Sequence, residues 1–141
     1  MRVRGSFAVA LLAAGLLSFA AQAQTFMAQL DGASEVPPKQ TQGMGELKAT
    51  LDPATKVLSY TLTYRDLSGP ATAAHFHGPA APGANAGVQV PIKPPASPAK
   101  GTARLTDAQI AELMDGKWYV NVHTKANPGG EIRGQVMRGG M

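Results

Sequence analysis

The segment KVLSYTLTYRDL (56–67) alternates without a break: Leu58, Tyr60, Leu62 and Tyr64 fall on one side of an extended chain, Val57, Ser59, Thr61 and Thr63 on the other. A period of two marks a β-strand with one buried face, because successive side chains of a pleated chain point opposite ways. The preceding GELKATLD (45–52) sets Leu47, Ala49 and Leu51 against Glu46, Lys48 and Thr50, and the PAT turn (53–55) between the two predicts an antiparallel hairpin. Sixteen glycines and eleven prolines separate further short runs: FMAQL (26–30), ATAAHFHG (71–78), GVQVPI (87–92), ARL (103–105), KWYVNVHT (117–124) and GEIRGQVM (130–137). Only TDAQIAELMDG (106–116) reads as a helix. Thr106 and Gln109 have capping-box spacing, Ile110, Leu113 and Met114 share a face, and Gly116 stops it. The expectation is an all-β fold: an antiparallel Greek-key β-sandwich of seven or eight strands with one short helix.

Residues 1–23 have a different character. Arg2 and Arg4 precede an apolar run that begins at Phe7, and Ala21-Gln22-Ala23 forms an A-x-A site. A basic start, a short hydrophobic stretch and small residues at the cleavage position describe an export signal. The run holds about 15 residues against the ~20 that a spanning helix needs, so no membrane span is expected after cleavage. The mature domain is then 24–141, periplasmic or secreted, and no cysteine follows to carry a lipid. Losing two arginines lowers the formal net charge from +4 to +2. With no basic run and no interleaved aromatics, a nucleic-acid partner is not expected.

The chain contains no cysteine. That removes thiolate nucleophiles, iron–sulfur clusters and cysteine-ligated blue copper together, and leaves the domain to be held by its core, a ligand or both. Ser34, Ser59, Ser68 and Ser97 lack the setting of a nucleophile elbow, so no catalytic residue is assigned. Met27, Met44 and Met137 lack the spacing of a methionine-rich copper motif and are expected in core or loop.

The chemistry concentrates in three histidines. His75 and His77 flank Phe76 on one strand and therefore share a face, with Cα atoms roughly 6.6 Å apart. In KWYVNVHT, Trp118, Val120 and Val122 make one face and Tyr119, Asn121 and His123 the other. In GEIRGQVM, Ile132 and Val136 oppose Glu131, Arg133 and Gln135. Every histidine thus lies on a polar strand face. An H-x-H pair joined by a third imidazole from a neighbouring strand forms a three-nitrogen metal site with an open position. With imidazole donors and no thiolate, copper is expected before zinc. Glu131, Arg133 and Asn121 are the candidate neighbours, as a fourth ligand, as groups tuning the site, or as guides for an anion. Glu131 and Arg133 equally suit an ordinary cross-strand ion pair. Copper-dependent redox activity, such as superoxide removal, ranks behind simple ion binding. The competing reading is an extracytoplasmic module that presents the loops 78–86 and 91–101 to a protein or polysaccharide, with the histidines incidental. A protein partner or a homodimer belongs to that reading.

The segments LDGASEVPP (30–38), AHFHGPAAPGANAGVQV (74–90), GTARLTDAQIAELMDGKWYVNVHT (101–124) and NPGGEIRGQV (127–136) resemble, in order, the CHRD domain, named from repeats in chordin. The resemblance implies an exported or extracellular β-sandwich, here in a bacterial single-domain form, and bears on fold more than on function. HFHG and the later His123 are also similar to the copper site of Cu/Zn superoxide dismutases. That similarity implies copper ligands at His75, His77 and His123 and an anion-guiding role for Arg133. Three histidines are too few for bridged copper and zinc sites, and the disulfide of those enzymes is missing, so it extends at most to a copper-only relative.

Overall fold

The alternating segments pair into one antiparallel sheet in the computed structural model, which describes Ala10 and residues 22–139. The export signal expected over 1–23 therefore lies outside the described residues, apart from Ala10, Gln22 and Ala23. The strands are β1 (Gln24–Asp31), β2 (Met44–Asp52), β3 (Val57–Arg65), β4 (Ala71–His77), β5 (Val88–Pro91), β6 (Ala99–Arg104), β7 (Tyr119–Thr124), β8 (Ile132–Gln135) and β9 (Met137–Arg138). The helix α1 (Asp107–Met114) joins β6 to β7. Among the described residues no helix is long and apolar enough to cross a membrane.

Spatial order runs β5-β4-β7-β8-β1-β2-β3-β6, with β9 beside β1. Both β3-to-β4 and β5-to-β6 connect opposite ends of that order, as a Greek key requires. The sheet curls until its two halves face each other. Phe76 of β4 meets Tyr60 of β3 edge-on at 5.2 Å between ring centroids, and Trp118 lies 5.9 Å from Phe76 on the other side. The predicted hairpin forms in the expected register, Leu47 opposite Leu62, Ala49 opposite Tyr60 and Leu51 opposite Leu58, and all six are buried. The all-β sandwich, with one short helix among the described residues, thus matches the expectation.

Among the described residues there are nine strands rather than seven or eight. GEIRGQVM was expected as one strand, but its ladder changes partner at Val136. The Val136 amide still bonds Trp118 O at 2.9 Å, whereas Met137 and Arg138 pair with Met27 and Phe26 of β1. ARL falls at the end of strand β6, where Ala99, Gly101 and Ala103 pair with Leu62, Tyr60 and Leu58 of β3. Its inward residues are small for a steric reason: a Cβ at Gly101 would lie 2.5 Å from the Tyr60 hydroxyl. Met27, Met44 and Met137, expected in core or loop, instead stand exposed on strands.

The helix is capped as expected. Gln109 N donates to Thr106 Oγ1 at 3.1 Å, Thr106 N donates back to Gln109 Oε1 at 2.9 Å, and Gly116 follows with φ +71°. Leu113 buries the helix on the core, and Trp118 Nε1 ties to Glu112 at 3.0 Å. Phe76 bridges the two halves at their centre, so Phe76→Ala should lower unfolding free energy by about 3–5 kcal/mol. A urea midpoint that scarcely moved would contradict that packing role.

Candidate metal centre

Strands β4 and β7 each show one face to the core and the other outward. Ala74 and Phe76 of β4 and Val120 and Val122 of β7 point inward and are buried, which sends His75, His77, Tyr119, Asn121 and His123 to the outer face. The register sets His77 opposite Tyr119, His75 opposite Asn121 and His123 opposite Ala73. The small Ala73 leaves room for the His123 ring to lean toward His75, and their centroids are 4.9 Å apart. His75 and His77 stand 5.5 Å apart and perpendicular. One ligand nitrogen from each of the three rings lies within 4.8 Å of the other two. A common point then sits within about 2.8 Å of all three nitrogens, so modest ring rotation reaches the ~2 Å bonds of imidazole to copper or zinc. The predicted set comes together, and its all-nitrogen character fits such an ion.

Backbone carbonyls decide which nitrogens are free. His77 Nδ1 faces Ala86 O at 2.9 Å and His123 Nδ1 faces Pro128 O at 2.9 Å. A carbonyl only accepts, so each Nδ1 carries the hydrogen and each neutral ring keeps its lone pair on Nε2. Both Nε2 atoms converge on Asn121 Oδ1, at 2.9 Å from His77 and 3.0 Å from His123. His75 Nδ1 lies 3.1 Å from His123 Nε2 and donates to it. Burial lowers the His75 pKa, helped by positive charge on His123, His77 and Lys93. Burial lowers His77 too, against the opposing hydrogen bonds of Ala86 and Asn121. His75 and His77 are therefore biased toward the neutral form, the form that ligates.

The loop 78–87 roofs part of this polar face. His77 stacks flat on Tyr119, 4.7 Å between centroids, and the Arg133 guanidinium lies 3.5 Å above the Tyr119 ring. Arg133 donates to Ala84 O at 2.7 Å and Asn85 Oδ1 at 3.1 Å, Tyr119 exchanges hydrogen bonds with Ala86, and Gln135 donates to Ala80 O. Arg133 is 1 % exposed. A guanidinium that guides anions must face solvent; this one clamps the roof.

A family model of the CHRD domain matches residues 26–136. The chain belongs to the CHRD domain family. No curated protein and no solved structure is significantly similar to it. The matched region contains all three histidines, both strands that carry them and the whole roof.

Glu131 of this CHRD domain does not join the histidine cluster. Its carboxylate accepts from the Ser68 hydroxyl, Ser68 N at 2.9 Å, Thr124 Oγ1 at 2.8 Å, Thr41 Oγ1 at 2.9 Å and Asn127 Nδ2 at 3.0 Å. No ion pair with Arg133 forms among the described residues. Burial alone would raise the Glu131 pKa, but the hydrogen bonds from Ser68, Thr124 and Thr41 win and pull it down to about 2. Neither the fourth-ligand nor the ion-pair expectation fits a carboxylate so fully occupied; it ties three loops to the end of β7.

Glu35, in the DGASEVPP turn, is the site neighbour that strand periodicity missed. It is 4 % exposed, and its Oε1 accepts no hydrogen bond. Burial raises its pKa, opposed by the Asn121 amide and then by the Arg133 charge. Gly130 leaves the space: a Cβ there would collide with Glu35 Oε1 and lie 2.8 Å from Asn121 Nδ2. The available signal was an acid in a short turn that ends in two prolines, Pro37 and Pro38.

The Glu131 shift fixes a pH response. A folded carboxyl that binds its proton more weakly than the unfolded one stabilises fully above pH 4.5 and loses that contribution as pH falls toward 2. The loss should amount to about 3 kcal/mol. Denaturant titrations across that range should show it in the wild type and not in Glu131→Gln.

Proposed function

We propose that this CHRD domain binds one divalent transition-metal ion, copper ahead of zinc, through His75, His77 and His123 in an extracytoplasmic setting. The observation that carries this reading is the pair of backbone carbonyls, Ala86 O and Pro128 O, that commit His77 and His123 to presenting Nε2 lone pairs toward each other. Protein ligands of metals are commonly oriented in this way. Three imidazoles, no thiolate and the Irving–Williams order favour Cu(II) over Zn(II) at equilibrium. The ligand atoms would be His77 Nε2, His123 Nε2 and His75 Nδ1, the last once the neutral His75 ring carries its hydrogen on Nε2 instead. A bound ion would supply Lewis-acid or one-electron chemistry at its open position. His75 and His123 are only partly buried, which supports access from that side, while the roof excludes water over His77. The extracellular character of the domain family and the basic, apolar leader support export.

Titration of untagged protein with Cu(II) and with Zn(II) by calorimetry should give one ion per chain, with copper the tighter. His77→Ala and His123→Ala should each abolish it. Weak binding unchanged by both substitutions would favour the loop-contact reading, with the histidines incidental. Protonated imidazole cannot ligate, and both His75 and His77 are lowered from 6.5. Binding should therefore persist at pH 6.5 and fade at lower pH.

A further inference from the structure

We infer that Glu35 is a positioning residue for the three-histidine site, holding the Asn121 amide with its nitrogen turned inward so that its oxygen faces the two Nε2 atoms. The inference rests on the metal-binding reading and adds a fourth acceptor to it. The two ends of an asparagine amide are nearly the same size, so their partners decide which way it faces. On the histidine side, Asn121 Oδ1 lies 2.9 Å from His77 Nε2 and 3.0 Å from His123 Nε2. Both nitrogens carry lone pairs, because their rings spend their hydrogens on Ala86 O and Pro128 O. An acceptor facing two acceptors is repulsive unless a cation lies between them. Left to the histidines alone, the amide would turn and donate through its NH₂ group.

Glu35 opposes that turn. Its carboxyl lies beside Asn121 Nδ2 over the Cβ-free Gly130, buried, with Oε1 short of a donor. A flipped amide would set its oxygen against the carboxylate, which is also an acceptor. Glu35 therefore makes the orientation that is wrong for empty histidines the favoured one. The pocket it creates presents Nε2, Nε2 and Oδ1 together, an all-acceptor set suited to a cation. Glu35 also sets a negative charge near the buried Arg133, the other positive group beside the site.

Glu35→Gln removes the bias, because an amide at position 35 can accept from the Asn121 nitrogen or donate to the Asn121 oxygen equally well. The variant should bind Cu(II) and Zn(II) at least tenfold more weakly. Its Cu(II) electron paramagnetic resonance spectrum should lose the wild-type hyperfine pattern, while its melting temperature stays near that of the wild type. Adding Asn121→Asp supplies oxygen acceptors whichever way the group turns, so Glu35→Gln/Asn121→Asp should recover affinity. Wild-type affinity and spectrum in Glu35→Gln would overturn the inference and leave the metal site standing. Weakened binding that Asn121→Asp fails to restore would also overturn it, assigning the loss to damaged packing. A wild-type protein that binds neither ion would sink the underlying reading instead.

Discussion

A strand can serve two environments at once only if its neighbours keep register, and on that constraint the molecule depends. Phe76 reaches Tyr60 and Trp118 inside the sandwich because β4 pairs with β7 residue for residue. The same pairing sets His75 and His77 outward against Asn121 and Tyr119. A slip of one residue would bury both imidazoles in hydrocarbon and expose the phenylalanine, so the core enforces the site's geometry. The site needs no separate stabilising device within β4, since the apolar face already selects one arrangement.

That coupling explains what could be read in advance. Period two assigned Leu58, Tyr60 and Leu62 to the core and all three histidines to one polar face, and the capping box fixed where the helix begins. The family resemblance rested on segments that lie within the region the CHRD model matches. What was not legible came from parts of the chain without periodicity. Glu35 and the roof over Tyr119 belong to loops, and loop contacts depend on where the ends of distant strands are carried. Glu131 was misread for a related reason. It was expected on a strand but lies just before β8, and its five donors come from Thr41, Ser68, Thr124 and Asn127, three of them remote in sequence or lying in turns. Arg133 was expected to guide an anion or to pair with Glu131. Here stacking on Tyr119 and two acceptors in the roof satisfy it indoors.

The polar groups near the end of β7 therefore divide into two neighbourhoods with opposite chemistry. Around the histidines, acceptors converge, and His77 and His123 turn their Nδ1 donors onto the carbonyls of Ala86 and Pro128. Around Glu131, donors converge on a single anion. Keeping the two apart matters, because hydroxyl donors among the imidazoles would cap the lone pairs that a cation needs. Thr124 follows His123 directly in β7, yet alternation turns the two side chains to different surroundings.

The Glu131 cradle has a consequence for the conditions the domain can tolerate. Its negative charge is balanced by neutral dipoles, namely hydroxyls, an amide side chain and one backbone N–H, all within hydrogen-bond contact and shielded from bulk water. Dissolved ions weaken attraction between exposed charges over roughly a Debye length, but they have little hold on short contacts of this kind. The knot joining β7 to its surrounding loops is thus insensitive to brine and to dilute media alike, and only a proton is small enough to undo it.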